Sequence, residues 1–186
     1  MLLLLVISVV AQQFAAPLVL GTSAGVLEIY FLVPWVTFYA LSLAVPYPLM
    51  LLFAFTVGFL WDATLPVVLT PEEFRFGISI AFFALFGSLV QGIRPLFRRG
   101  NWILPIIMVG AAVLLHLFAE FILLSFARGS FPFSAEIWFR MISTSSVAML
   151  MTPFLLFFIS RVARRCGYQL EYEQLMLRES NYGLQI

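Results

Sequence analysis

The sequence predicts an all-α integral membrane protein, a six-transmembrane helical bundle. Three observations carry that expectation. Of 186 residues, 63% are hydrophobic and 10% charged, and the mean hydropathy is +1.06; a soluble domain of this length needs far more polar surface. The apolar residues form continuous runs rather than an alternating pattern, which favours helices over a membrane β-barrel. Two arginine clusters, Arg94, Arg98 and Arg99, then Arg161, Arg164 and Arg165, each follow an apolar run and lie two runs apart. An even number of crossings therefore puts both on one face, the cytoplasmic one.

The spans follow from the punctuation. Span 1 covers about 2–20 and stops at Gly21-Thr-Ser-Ala-Gly25; span 2 covers about 28–44 and stops at Pro46-Tyr-Pro48. Span 3, about 47–62, ends at Trp61-Asp62, and the connection Ala63–Phe74 holds Pro66, Pro71, Glu72 and Glu73. Span 4 covers about 75–94, span 5 about 102–126 and span 6 about 136–160. A spanning helix needs roughly 20 apolar residues, with about 17 tolerated. The stretch from Glu28 to Trp61 must hold two of them, and its two prolines favour a turn between them. The connections at 21–27, 63–74 and 127–135 then lie outside, and both termini are cytoplasmic. Trp61, Trp102 and Trp138 fall near span ends, as an interfacial belt places them. The leucine-rich N-terminus lacks the basic region of a signal peptide, and Ala11-Gln12-Gln13 is a poor cleavage context, so it is taken as a retained first span.

Composition also excludes. A net charge of +1 argues against a nucleic-acid partner. The single cysteine, Cys166, rules out an internal disulfide and a cysteine-based metal site. The polar tail, 166–186, places Tyr168, Tyr172, Leu175 and Met176 on one helical face. It either docks on the membrane or a partner, or remains solvated.

Few polar residues interrupt the spans. His116 and Glu120 are four apart in span 5 and share a face. Glu120 lies about 10 Å, and Arg140 about 8 Å, from the same outer edge at the helical rise, so the two are expected to pair, since an unpaired charge at that depth costs a few kcal/mol. The plain reading is a structural ion pair; the alternatives are a polar patch for a partner's helix and a proton or ion relay. His116, near the midplane, is read as a packed histidine bonded to a neighbouring helix. Gln12, Gln13 and Ser143-Thr-Ser-Ser146 are read as interhelical hydrogen-bonding groups. Gly58 and Gly77 are read as sites of close helix approach or a helix-end turn. Asp62, the sole aspartate, stands at a helix C-terminus, where a carboxylate opposes the macrodipole. It needs a partner: Arg75, or the backbone amides of the following loop.

No catalytic constellation is present. The sequence has no Gly-x-Ser-x-Gly, no phosphate loop and no paired aspartates, and His116-x-x-x-Glu120 is not the zinc-protease motif. A Ser–His–Asp triad would need His116 and Asp62, which the topology puts at different depths. No cofactor or metal is expected.

The order of these elements resembles the bacterial rod shape-determining MreD family. The shared features are a span ending in a Gly-x-x-x-Asp element (Gly58 to Asp62), a polar connection, and a glycine opening the next span (Gly77 in Arg75-Phe-Gly77-Ile-Ser). A basic cytoplasmic run, Arg94-Pro-Leu-Phe-Arg-Arg-Gly100, two further spans and a short basic end, Arg161 to Arg165, complete the pattern. Gln12 or Gln13 in span 1 and Pro34-Trp35 in span 2 also fit. The resemblance covers roughly residues 1–165. Two departures stand out: a longer connection through Leu65–Glu73, and a longer tail after Arg165.

The resemblance implies a non-enzymatic membrane scaffold of the elongasome, the machine for cell shape and lateral peptidoglycan synthesis. Its expected direct partner is MreC, with MreB, RodA, its transpeptidase and RodZ in the wider complex, at the bacterial inner membrane. It also implies a fold similar to the substrate-binding subunits of energy-coupling-factor vitamin transporters, which supplies the alternative function. The six basic residues of the two clusters could meet an acidic partner or anionic membrane lipid; the plainer reading is that they set topology.

Overall fold

A computed structural model describes residues 1–14, 18–22, 25–29, 32–64, 77–93, 103–131 and 134–165. Six α-helices dominate: α1 (Leu2–Phe14), α2 (Val33–Ala44), α3 (Tyr47–Thr64), α4 (Ile78–Ile93), α5 (Ile103–Arg128) and α6 (Ala135–Arg165). The last four begin and end within a few residues of the expected helices.

The all-helical class holds, but the first two helices are shorter than the expected spans 1 and 2. An antiparallel hairpin, β1 (Leu18–Thr22) and β2 (Gly25–Ile29), separates α1 from α2, with Leu18 opposite Ile29 and Thr22 opposite Gly25. It replaces the end of the predicted span 1 and the start of span 2. Pro17 cannot donate a helical hydrogen bond and disfavours helix at the residue before it. The Gly-Thr-Ser-Ala-Gly run supplies turn chemistry between two aliphatic segments, and a hairpin satisfies their backbone groups.

α2 is the axis of the molecule. It has 12 residues, and every one from Pro34 to Ala44 is buried. It touches each of the other five helices, so no face is left for solvent. Pro34 sits in its first turn, where a missing N–H is harmless. Val45 is extended at its C-terminus, and Pro46 and Pro48 flank the start of α3; the two-helix reading of Glu28–Trp61 therefore holds for its helical part. The helix ends need partners. Gln12 Oε1 accepts a hydrogen bond from Val33 N at 3.0 Å, and Gln91 Nε2 donates to the carbonyls of Ser42 (2.8 Å) and Val45 (2.9 Å). Amides from α1 and α4 thus satisfy groups left open at the two ends of α2.

The most extensive helix pairs are α3 with α4 and α5 with α6. In the second pair Ser145 Oγ donates to the carbonyl of Gly110 at 2.8 Å, while Ser146 and Thr152 bond carbonyls of their own helix. The expected hydrogen-bonding role of the span 6 hydroxyls is what the helix displays.

α5 and α6 are long and apolar enough to cross a membrane; α1 to α4 are shorter apolar helices. The surface is apolar too. Leu3 and Ile7 on α1, Phe55 on α3, and Leu150, Phe154 and Phe157 on α6 are all exposed, an extent of apolar surface that marks a membrane or a partner.

Candidate functional site

Three helices converge on His116. Trp35 and Tyr39 are one turn apart on α2, His116 and Glu120 one turn apart on α5, and Phe82, Phe83 and Phe86 share a face of α4. The imidazole is fully buried. It stacks on Trp35 with ring centroids 3.9 Å apart, lies tilted against Phe86 at 5.5 Å, and meets the edges of Phe82 and Phe83. Trp61 closes the cage by packing edge-on against Trp35.

Within this apolar cage His116 has one strong hydrogen bond. Tyr39 Oη lies 2.6 Å from Nδ1. With the tyrosine donating, the imidazole carries its proton on Nε2, the nitrogen that faces Glu120 Oε1 at 3.6 Å. That separation is too long for a hydrogen bond, and among the described residues Nε2 has no other partner. Glu120 is therefore an electrostatic neighbour of the ring. Its side chain keeps 30% of its surface, so the cluster runs from the dry interior toward the outside of the bundle. Among the described residues Trp35 Nε1 and Thr37 Oγ1 are also buried without a hydrogen-bond partner.

The expected pairing of Glu120 with Arg140 is not made. Among the described residues the ionic neighbour of Glu120 is His116, on its own helix. Arg140 instead lines a cavity of about 330 Å³ between α5, α6 and Leu32 at the start of α2. Glu120 shares a face of α5 with His116, four residues before it.

Asp62 meets the second expectation for it. The carboxylate is 3% exposed, and Oδ2 accepts the backbone N–H of Gly77 at 2.7 Å. Gly77 has φ +97°, a conformation that glycine adopts without steric cost, and it stands just before α4. One turn back from Asp62, Gly58 faces Ile80: a Cβ placed on it would lie 2.6 Å from the Ile80 backbone. Gly58, Asp62, Gly77 and Ile80 thus form one joint between α3 and α4. Arg75, the other candidate partner, lies outside the described residues, as do Arg94, Arg98, Arg99 and the tail. Arg161, Arg164 and Arg165 stand exposed in the last turns of α6.

Sequence reasoning missed Tyr39 and Gln91, and took Trp35 only as part of a pattern. A tyrosine in the middle of an apolar run needs a partner for its hydroxyl, and His116 is the one histidine; that was the available signal. Chemically the cluster is a set of internal contacts. Among the described residues no three His, Cys, Asp or Glu side chains gather to hold a metal ion. Comparison with protein-family models, with characterised proteins and with solved structures found no match to this chain.

Proposed function

We propose that this chain is a non-enzymatic, six-span scaffold of the bacterial complex for cell shape and lateral wall synthesis, acting as the MreD family does. It binds MreC directly and connects it to MreB, RodA, its transpeptidase and RodZ. The observation that carries the reading is the α3–α4 joint. Gly58 and Asp62 on α3 and Gly77 before α4, three of the positions that carry the resemblance, act together in space through the Asp62–Gly77 hydrogen bond and the Gly58–Ile80 approach.

The bundle suits this role physically. Several of its polar groups bond one another across helices, and its outer surface is a broad sheath of aliphatic and phenyl side chains. Such a surface holds a single-span partner by packing and occasional interhelical hydrogen bonds. In the bilayer α2 is about 18 Å long at the helical rise, short of the roughly 30 Å hydrocarbon core. It is sheathed by the other helices, and non-helical backbone at its end is tolerated where protein covers it. Both termini are cytoplasmic in this reading, and the hairpin and the α5–α6 connection face outward.

The cavity beside Arg140 favours a second reading, a ligand-binding subunit of an energy-coupling-factor transporter. One experiment separates the two. The full chain is expressed with an affinity tag in a rod-shaped bacterium, extracted in mild detergent, and its partners are identified by mass spectrometry. Recovery of MreC with RodA is the expected result. Recovery of ATPase and coupling subunits, without wall-synthesis proteins, overturns the scaffold reading in favour of the second.

A further inference from the structure

The α5–α6 cavity has a definite chemistry. α5 contributes Leu117 and Phe121, α6 contributes Ile137, and Arg140, Ser125 and Thr144 are polar groups on the same wall. Ser125 and Thr144 are buried residues, so their hydroxyls face a protein environment rather than bulk solvent. The space arises from local sequence. The two helices are tied deeper in the bundle by Ser145 and Gly110. Toward their connection, small residues (Ser125, Ser130, Thr144) stand where large ones would fill the gap.

We propose that this cavity binds the phosphate and the upper part of one acyl chain of an anionic phospholipid. The inference requires only that the bundle sits in a bilayer, and it goes beyond the scaffold reading. Arg140 is the sixth residue of α6, about 8 Å along the helix from its start; α6 has 31 residues, more than the roughly 20 that cross the hydrocarbon core, so its first turns extend into the headgroup layer. Exposed Phe126, Phe131 and Trp138 surround the same end of the α5–α6 pair, as residues at a bilayer boundary do. A guanidinium has five N–H donors, so Arg140 can engage a phosphate while it keeps contacts within the protein. The volume stands at the low end of the roughly 300–1,000 Å³ typical of small-molecule sites. It accommodates a headgroup phosphate and a few methylenes, and the rest of the lipid lies in the bilayer.

The test is native mass spectrometry of the full chain in detergent, titrated with phosphatidylglycerol and, separately, with phosphatidylcholine of the same chain length. The wild type is expected to retain phosphatidylglycerol at least tenfold more tightly. Arg140→Gln removes that preference, and Arg140→Lys keeps part of it. Ile137→Trp, which fills the cavity, weakens retention of both lipids. Equal retention of the two lipids by the wild type, or an unchanged preference in Arg140→Gln, overturns the proposal. Inorganic phosphate tests the other source of the anion: if it displaces phosphatidylglycerol at equal concentration, the acyl chain contributes nothing and the lipid assignment is wrong. The wild-type titrations decide the question even if a variant fails to fold.

Discussion

Tyr39 Oη and His116 Nδ1 meet at 2.6 Å across the interface of α2 and α5, and both side chains are fully buried. The two residues are 77 positions apart in the chain. Their bond fixes how the central helix sits against α5, because the stack of His116 on Trp35 sets the ring's plane and the tyrosine sets its rotation.

Tyr39→Phe keeps the packing and deletes the donor, so its effect isolates the bond. Interhelical hydrogen bonds in membrane proteins average about 0.6 kcal/mol and reach about 1.7. A loss in that range is expected in reversible unfolding from detergent micelles. Paired with His116→Phe in a double-mutant cycle, the two losses should be less than additive by about the same amount. Strict additivity would mean the contact contributes nothing.

The α3–α4 joint makes a sharper forecast at Gly58. A methyl group there meets the backbone of Ile80, which cannot swing aside as a side chain can. Gly58→Ala should therefore cost about 1–3 kcal/mol, the usual range for overpacking, despite alanine's better helix propensity. Gly92, in the last turn of α4, has open space where its Cβ would go. Gly92→Ala should be neutral or stabilise by up to about 1 kcal/mol. Thermal melts of the two variants side by side test this; equal behaviour would refute the close approach.

Gln91 caps the C-terminal end of α2 with two hydrogen bonds from one amide nitrogen. Gln91→Ala leaves the carbonyls of Ser42 and Val45 without that donor, and a loss of about 1–3 kcal/mol follows. Gln91→Glu should be worse than alanine, because it turns a carboxylate toward two acceptors at a negative helix end. If the glutamate variant melts higher than the alanine one, the capping role is wrong.

What could be read from the sequence divides along physical lines. Long apolar runs bounded by proline, glycine and arginine gave α3 to α6 closely, since those boundaries are local. The hairpin was not legible: Leu18–Thr22 and Gly25–Ile29 are aliphatic, and hydrophobicity alone does not separate a short strand from a helix end. Pro17 was the overlooked cue. Asp62's need for a donor was legible, because an acid at a helix C-terminus requires one. The partners of His116 and Gln91 were not, since they come from helices distant in sequence. The Glu120–Arg140 pairing failed because helical rise fixes depth but not which neighbour a face turns to; Glu120 shares its face with His116.

The Asp62–Gly77 contact permits a graded test of the joint. The bond uses a side-chain oxygen as acceptor of a backbone N–H, and asparagine retains such an oxygen. Asp62→Asn should keep most of the wild-type stability. Asp62→Ala removes the acceptor and strands the buried amide, with a loss of about 1–3 kcal/mol. Gly77→Ala forces a side chain into φ +97° and should cost about 1–3 kcal/mol through backbone strain, although its Cβ meets no neighbour. The measurement is thermal stability in detergent combined, as a test of the proposed scaffold role, with recovery of MreC in pull-down. The expected order of loss is slight for asparagine and substantial for both alanine changes, with MreC recovery falling in step if the joint shapes the partner surface. Should Asp62→Asn fall as far as Asp62→Ala, the carboxylate's charge rather than its acceptor oxygen holds the joint, and a cationic partner must be sought.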